Sequence, residues 1–197
     1  HLGYLCSSES WGGLEMNHLR NACWMKDRGH KVLVFAVANS RFAKEAESHG
    51  LAIEAIEKHG KYYDFKNGRI LVKLLKKHNI THLLIRATRD MSITAFAKWK
   101  LKGALHTSYY MEMQLGVKKT HLLHALRHNK IDLWSCPLPW LEEQVRTMTR
   151  FKNEMVQIPS GMDLSQFENT PSKEDARDQM ELPKEVRLFG LMGRFDP

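Results

Sequence analysis

Apolar positions along the chain alternate between two spacings. Short β-rich runs at Leu2 to Cys6, Lys31 to Val37, Leu51 to Ile56, His82 to Ile85, Ala104 to Tyr110, Ile131 to Ser135 and Met155 to Ile158 are each bounded by Gly, Asn, Asp, Pro or a charged cluster, and they predict seven strands. Helical spacing between them predicts helices over Gly13 to Arg28, Arg41 to His49, Phe65 to His78, Asp90 to Lys102, Lys118 to Asn129 and Leu138 to Arg150. Gly29 marks the end of the first of these, and Asp90 reads as the N-cap of the fourth. Strict β-α alternation implies parallel strands joined by right-handed crossovers. The expected fold is therefore α/β with a doubly wound parallel sheet of about seven strands.

The pattern changes after Ile158. Pro159-Ser160-Gly161 breaks the last strand, and Glu154 to Glu181 holds seven acidic residues against two basic ones, as a surface linker with one capped helix would. Val186 to Met192 then reads as a fresh strand, followed by Gly193-Arg194.

Composition narrows the class. With 197 residues and 43% hydrophobic content the chain can bury a core, and it is long enough for one domain and part of a second. Its longest apolar run, Val32 to Ala38, is far short of the roughly 20 residues of a membrane-spanning helix. Cys6, Cys23 and Cys136 are odd in number and widely spaced, which suggests neither a disulfide framework nor a zinc ribbon, so a reducing cytoplasm is expected. A start at His1 without a basic-then-apolar segment reads as an internal cut or a processed end.

Charge is local rather than diffuse. Lys58 to Lys130 holds 16 basic residues and only Asp64, Asp90 and Glu112 as acids, a net +13 within a chain of net +8. Such a segment either is a solvated set of helix faces or favours anionic partners: nucleic acid, anionic lipid headgroups or phosphorylated small molecules. Trp99 and Leu101, alternating with Lys98, Lys100 and Lys102, suit a helix lying on a headgroup surface.

The turn after the first strand, Ser10-Trp11-Gly12-Gly13-Leu14-Glu15, leads directly into a helix. Paired glycines there let a diphosphate or sugar approach the backbone, with free N–H groups and the positive helix end aimed at it. The alternative is a tight turn that needs positive φ. It is neither a dinucleotide fingerprint nor a P-loop, because GxGxxG and GK[ST] are absent.

Taken with three further segments, Arg28-Gly29-His30-Lys31-Val32, Ile158-Pro159-Ser160-Gly161-Met162-Asp163 with Phe167, and Gly193-Arg194-Phe195-Asp196-Pro197, this turn resembles the ordered motifs of the N-terminal half of a family 4 glycosyltransferase. Met113 to Lys119, with His124 and Ile131-Asp132, is similar to bacterial members. The resemblance implies a GT-B architecture, two Rossmann-like domains across a cleft, in which the N-terminal domain meets the acceptor and the C-terminal one the sugar nucleotide. It implies transfer with retention, a nucleotide-sugar as substrate, and no metal or other cofactor. Residues 1–183 would be the acceptor-side domain and 184–197 the start of a donor-binding domain, so this stretch alone would be inactive. A glycan or lipid-linked acceptor for cell-surface polysaccharide or lipopolysaccharide, and a cytoplasmic protein peripheral to the inner face of the membrane, follow as expectations.

Residue roles follow from the same resemblance. Gly12 and Gly13 would meet the donor diphosphate and Arg194 would neutralise it. Ser160 stands where the family most often has Asn. Near the end of the fifth strand the family frequently places a His, and aligning on Met113-Gln114 puts Glu112 there, either as a catalytic carboxylate or as a structural strand-end acid; His106 lies too early in the strand. Glu15, Arg86 and Arg89 are candidate acceptor contacts, Arg86 and Arg89 because they sit at a carboxyl strand end, although a salt bridge to Asp90 would also explain Arg89. His121, His124 and His128 share a helical face without a carboxylate or Cys nearby, which favours packing over a metal site. The competing functions are a sugar-nucleotide epimerase of the same architecture and a nucleic-acid-binding module. The latter lacks a zinc finger, helix-turn-helix or RNP-like strand.

Overall fold

A computed structural model describes residues 1–191. Seven strands, β1 (Leu2–Cys6), β2 (Val32–Val37), β3 (Ala52–Ile56), β4 (His82–Ile85), β5 (His106–Tyr110), β6 (Leu133–Cys136) and β7 (Glu154–Gln157), form one all-parallel sheet in the order β3-β2-β1-β4-β5-β6-β7. The crossovers carry α1 (Gly13–Asp27), α2 (Arg41–Ser48), α3 (Phe65–Lys77), α4 (Met91–Leu101), α5 (Leu122–His128) and α6 (Pro139–Met148). This is the doubly wound Rossmann-like arrangement that the alternation predicts. Strand order reverses between β1 and β4, where open sheets of this kind form a crevice at their carboxyl ends.

Alternation within strands builds a core on each face. Leu5 and Phe35 point to one side with Leu71, Leu83 and Trp134, while Tyr4, Cys6 and Val34 point to the other with Leu19 and Phe42. Strands β1 and β2 are apolar and buried on both faces, and the edge strands β3 and β7 are half exposed. Two glycines are set by close approach: a Cβ at Gly3 would lie 2.9 Å from the Phe35 ring, and one at Gly68 would lie 2.7 Å from Phe96, where α3 meets α4. Ser40 and Asp64 cap α2 and α3 by accepting from the N–H groups of Ala43 and Asn67.

Several boundaries differ from expectation for identifiable reasons. The fifth helix starts at Leu122 rather than Lys118, because the Lys119 N–H donates to the Met148 carbonyl at 2.7 Å and bridges to Thr149, which also ends α6 before Arg150. β5 starts two residues late, behind a 3-10 turn at Lys102–Ala104 in which Lys102 has φ 51°. Asp90 stands at the N-cap position of α4 but makes no side-chain cap. The strand expected over Val186 to Met192 is absent from its described part, 186–191, because a strand needs a neighbour to pair with and none runs beside it among the described residues.

The chain divides at Ser160/Gly161 into two compact units. The expected boundary at 183/184 lies inside the second, which contains α7 (Lys173–Gln179) capped by Ser172. Cys6, Cys23 and Cys136 are free thiols. Among the described residues no helix is long and apolar enough to cross a membrane.

Candidate functional site

An open groove of about 350 Å³ follows the carboxyl rim of the sheet at the β1/β4 reversal. It is lined by the start of α1 (Leu14), the loop after β3 (Lys61), the β4–α4 turn (Arg86, Arg89) and the segment after β5 (Glu112, Lys119).

Leu14 forms the wall at the head of α1, and the two residues before it, Gly12 and Gly13, carry no side chain. Gly12 is the N-cap in extended conformation, φ −156°, and neither it nor Gly13 has positive φ, so the tight-turn explanation for this pair does not hold. A Cβ built on exposed Gly13 meets nothing within 4 Å, so packing does not require glycine there either. No N-cap side chain covers the helix start; the Gly12 N–H donates to Glu15 Oε2 at 3.0 Å and the Gly12 carbonyl accepts from the Met16 N–H at 2.9 Å. The first-turn amides and the helix dipole therefore face outward, the arrangement that attracts an anion. Glu15 itself is buried in this reciprocal contact.

The facing wall is made of side chains. Arg86, 6% exposed, lies 2.8 Å from Glu112 Oε1 as an ion pair without hydrogen-bond alignment, and its guanidinium stacks 4.3 Å from the centre of the Tyr110 ring. Asn17 on α1 donates to the same Glu112 oxygen at 2.8 Å and accepts from Arg20. Glu112, a half-buried groove residue, is thus held from two sides by Arg86 and Asn17. His18, buried on the same helix as Asn17, donates through Nε2 to the Leu5 carbonyl, 3.2 Å away; burial first and the Arg86 charge second push its pKa down to about 3, so the ring is neutral.

Asp90 pins the turn that carries these arginines. Its buried carboxylate accepts from the Ser7 hydroxyl, from the Ser7 N–H at 3.4 Å and from His59 Nε2 at 3.0 Å, while His59 Nδ1 faces the Gly60 carbonyl at 3.2 Å. Both ring nitrogens of His59 meet acceptors, so its bonds are complete only in the cationic form. Burial lowers its pKa, but the bond and charge of Asp90 outweigh that and the net shift is upward. A salt bridge between Arg89 and Asp90 is accordingly ruled out: Asp90 serves Ser7 and His59, and Arg89 is exposed on the groove.

The structure thus brings Arg86, Arg89 and Glu112 onto one groove, with Gly12, Gly13 and Glu15 at the helix start that borders it. Arg194 lies outside the described residues. His106 stacks on His82 at the opposite rim, 5.5 Å between rings. His121 caps α5 and His128 packs edge-on against Trp134; among the described residues no group of three or more His, Cys, Asp or Glu could hold a metal ion. Sequence reasoning missed Asn17, whose only signal is its place one turn into α1, and the Ser7–Asp90–His59 cluster, which joins three distant loops without any local spacing.

Neither a protein-family model nor a curated protein matches the chain. Solved structures do. A glycosyltransferase from Rickettsia africae ESF-5 aligns with a TM-score of 0.72 at 16% identity, covering 94% of this chain and 50% of that one. HepE from Anabaena, in complex with UDP, aligns with a TM-score of 0.72 at 16% identity over 91% and 50%. The lipopolysaccharide outer core galactosyltransferase WaaB gives 0.57 at 11% identity over 83% and 46%. The chain shares the Rossmann-like fold found in these GT-B glycosyltransferases and spans about half their length.

Proposed function

We propose that this chain is the acceptor-side half of a retaining, family 4-like glycosyltransferase that moves a sugar from a nucleotide-sugar to a glycan or lipid-linked acceptor of the cell surface. The observation that carries the reading is the glycine pair at the head of α1: neither backbone conformation nor packing demands Gly13, yet it stands bare beside an open groove at the sheet's switch point. A diphosphate needs that close approach to amides. In this reading Gly12, Gly13 and Arg194 meet the donor diphosphate, Glu112 faces the reacting sugar, and Glu15, Arg86 and Arg89 shape the acceptor side. Glu112 acts through its charge, stabilising cationic character at the anomeric carbon or orienting the acceptor hydroxyl, with Arg86 and Asn17 fixing its position. No metal or other cofactor is invoked.

Support also comes from the fold of solved glycosyltransferases, HepE being solved with UDP and with UDP-glucose. The basic segment and exposed Trp99 beside Lys100, 4.1 Å from ring centre to ammonium, suit a peripheral position on an anionic membrane. The test is to incubate the full-length protein with nucleotide-sugars and acceptor extract and to follow the new anomeric proton by NMR. A product with the donor's anomeric configuration is expected. Inverted product, or an epimerised nucleotide-sugar without transfer, would contradict the reading.

A further inference from the structure

Arg127 is as buried as Arg86, 6% exposed, but has no carboxylate. Its Nη1 donates to the Lys61 carbonyl at 3.4 Å and to Ser92 Oγ at 3.2 Å, the guanidinium lies 4.9 Å from the centre of the Tyr62 ring, and its buried Nε has no partner. Lys61 and Lys119, on the adjoining groove, likewise make no ion pair among the described residues. Three cations thus converge with no carboxylate of their own among the described residues, the acid of the groove, Glu112, being paired to Arg86. Their crowding registers at Lys119, whose ammonium is held below the usual lysine range by burial and then by the charges of Lys61 and Arg127. Buried and crowded cations ordinarily have an anion beside them.

The other side of Arg127 is mainly apolar. It forms one wall of a cleft of about 140 Å³ between Tyr63, Phe65, Phe96, Leu123 and Leu126, of which Tyr63, Phe65, Leu123 and Leu126 are exposed; Ser92, Lys130 and Asp64, whose carboxylate is taken up by Gly60 and Asn67, also line it. That volume is close to the roughly 150 Å³ of an apolar cavity that takes benzene, room for a short hydrocarbon segment. An exposed, mainly apolar cleft sharing a wall with a cation cluster that has no carboxylate of its own calls for one ligand with both characters.

We propose that this junction binds a phosphate ester carried on an apolar chain, the phosphate among Arg127, Lys61 and Lys119 and the adjoining hydrocarbon in the cleft against Phe96 and Leu126. The inference deepens the glycosyltransferase reading, on which it rests for the ligand's role as acceptor, by naming that acceptor as a lipid phosphate. A soluble phosphate ester would present the same anion without the tail.

The experiment is calorimetric titration of the full-length protein with dihexanoyl phosphatidic acid below its micellar concentration, with inorganic phosphate and with dihexanoyl glycerol. Phosphatidic acid is expected to bind at least about tenfold more tightly than inorganic phosphate, since two buried methylenes suffice for that ratio. Lys61→Met with Lys119→Met, the first exposed and the second half-buried, weakens both anions about tenfold or more, and Leu126→Ser removes only the advantage of the tail. Equal affinity for phosphatidic acid and inorganic phosphate would assign a soluble ester and overturn the proposal. So would undiminished binding by the double lysine variant, or tighter binding of the neutral diglyceride. Because binding is read directly, its loss with sugar transfer intact sinks this site alone, whereas binding without transfer keeps the site and sinks the glycosyltransferase reading.

Discussion

Two turns flank the reversal point of the sheet, and they are built in opposite ways. The β1–α1 turn presents Gly12 in extended conformation as an N-cap without a side chain and Gly13 with open space where a Cβ would be. The β4–α4 turn is filled: Arg86 is ion-paired to Glu112, and Asp90 gives up its capping role to bind Ser7 and the buried His59 ring. Ser7 belongs to the segment that leads into the first turn, so the locked turn also holds the base of the bare one. Rigidity is concentrated on one side of the groove and accessibility on the other, as expected of a site whose amides must meet a ligand without moving.

The largest effect that tests this contrast comes from removing the lock. Asp90→Ala leaves the His59 cation and the Ser7 hydroxyl buried without their acceptor, and should destabilise the protein by about 3 kcal/mol or more, read as a lower urea midpoint. A loss within about 0.5 kcal/mol would mean that the cluster does not hold the turns together.

Titration gives the next largest. His59 has a raised folded pKa, so its contribution is fully present below the unfolded value of about 6.5 and is lost as pH rises from there through the folded value. His18 has its folded pKa lowered to about 3, so the unfolded chain takes up a proton that the native state refuses, and stability falls as pH drops from about 6.5 toward 3. Each contributes a limb of at most about 1.4 kcal/mol per pH unit. Denaturation across pH 4 to 8.5 should show His59→Gln flattening the alkaline limb alone and His18→Gln the acid limb alone. His128, also pushed to about 3 by burial and by Arg127, keeps part of the acid limb in the second variant.

Periodicity sufficed for the sheet, because parallel strands buried on both faces leave uninterrupted apolar runs such as Val32–Val37, and each helix repeats on the scale that separates it from a strand. The glycine pair and the Arg86/Arg89 turn were also readable, since a strand-to-helix turn marks the carboxyl rim by topology alone. What escaped depended on contacts across sequence. Asp90 reads locally as a cap; only the fold brings His59, 31 positions away, and Ser7, 83 positions away, to its carboxylate. Lys118 and Lys119 look like a helix start because pairing to Met148 and Thr149 leaves no local trace. Val186 onward has strand composition, but composition cannot supply a neighbouring strand.

The smallest structural change provides the sharpest functional test. Gly13→Val in the full-length protein adds a side chain to empty space outside the core, so the urea midpoint should correspond to a change within about 0.5 kcal/mol. If the proposed transfer is right, steady-state kcat/KM for a nucleotide-sugar donor should nevertheless fall by about a hundredfold, because a diphosphate could no longer reach the first-turn amides. An unchanged kcat/KM in a stably folded Gly13→Val protein would show that the head of α1 does not meet the donor.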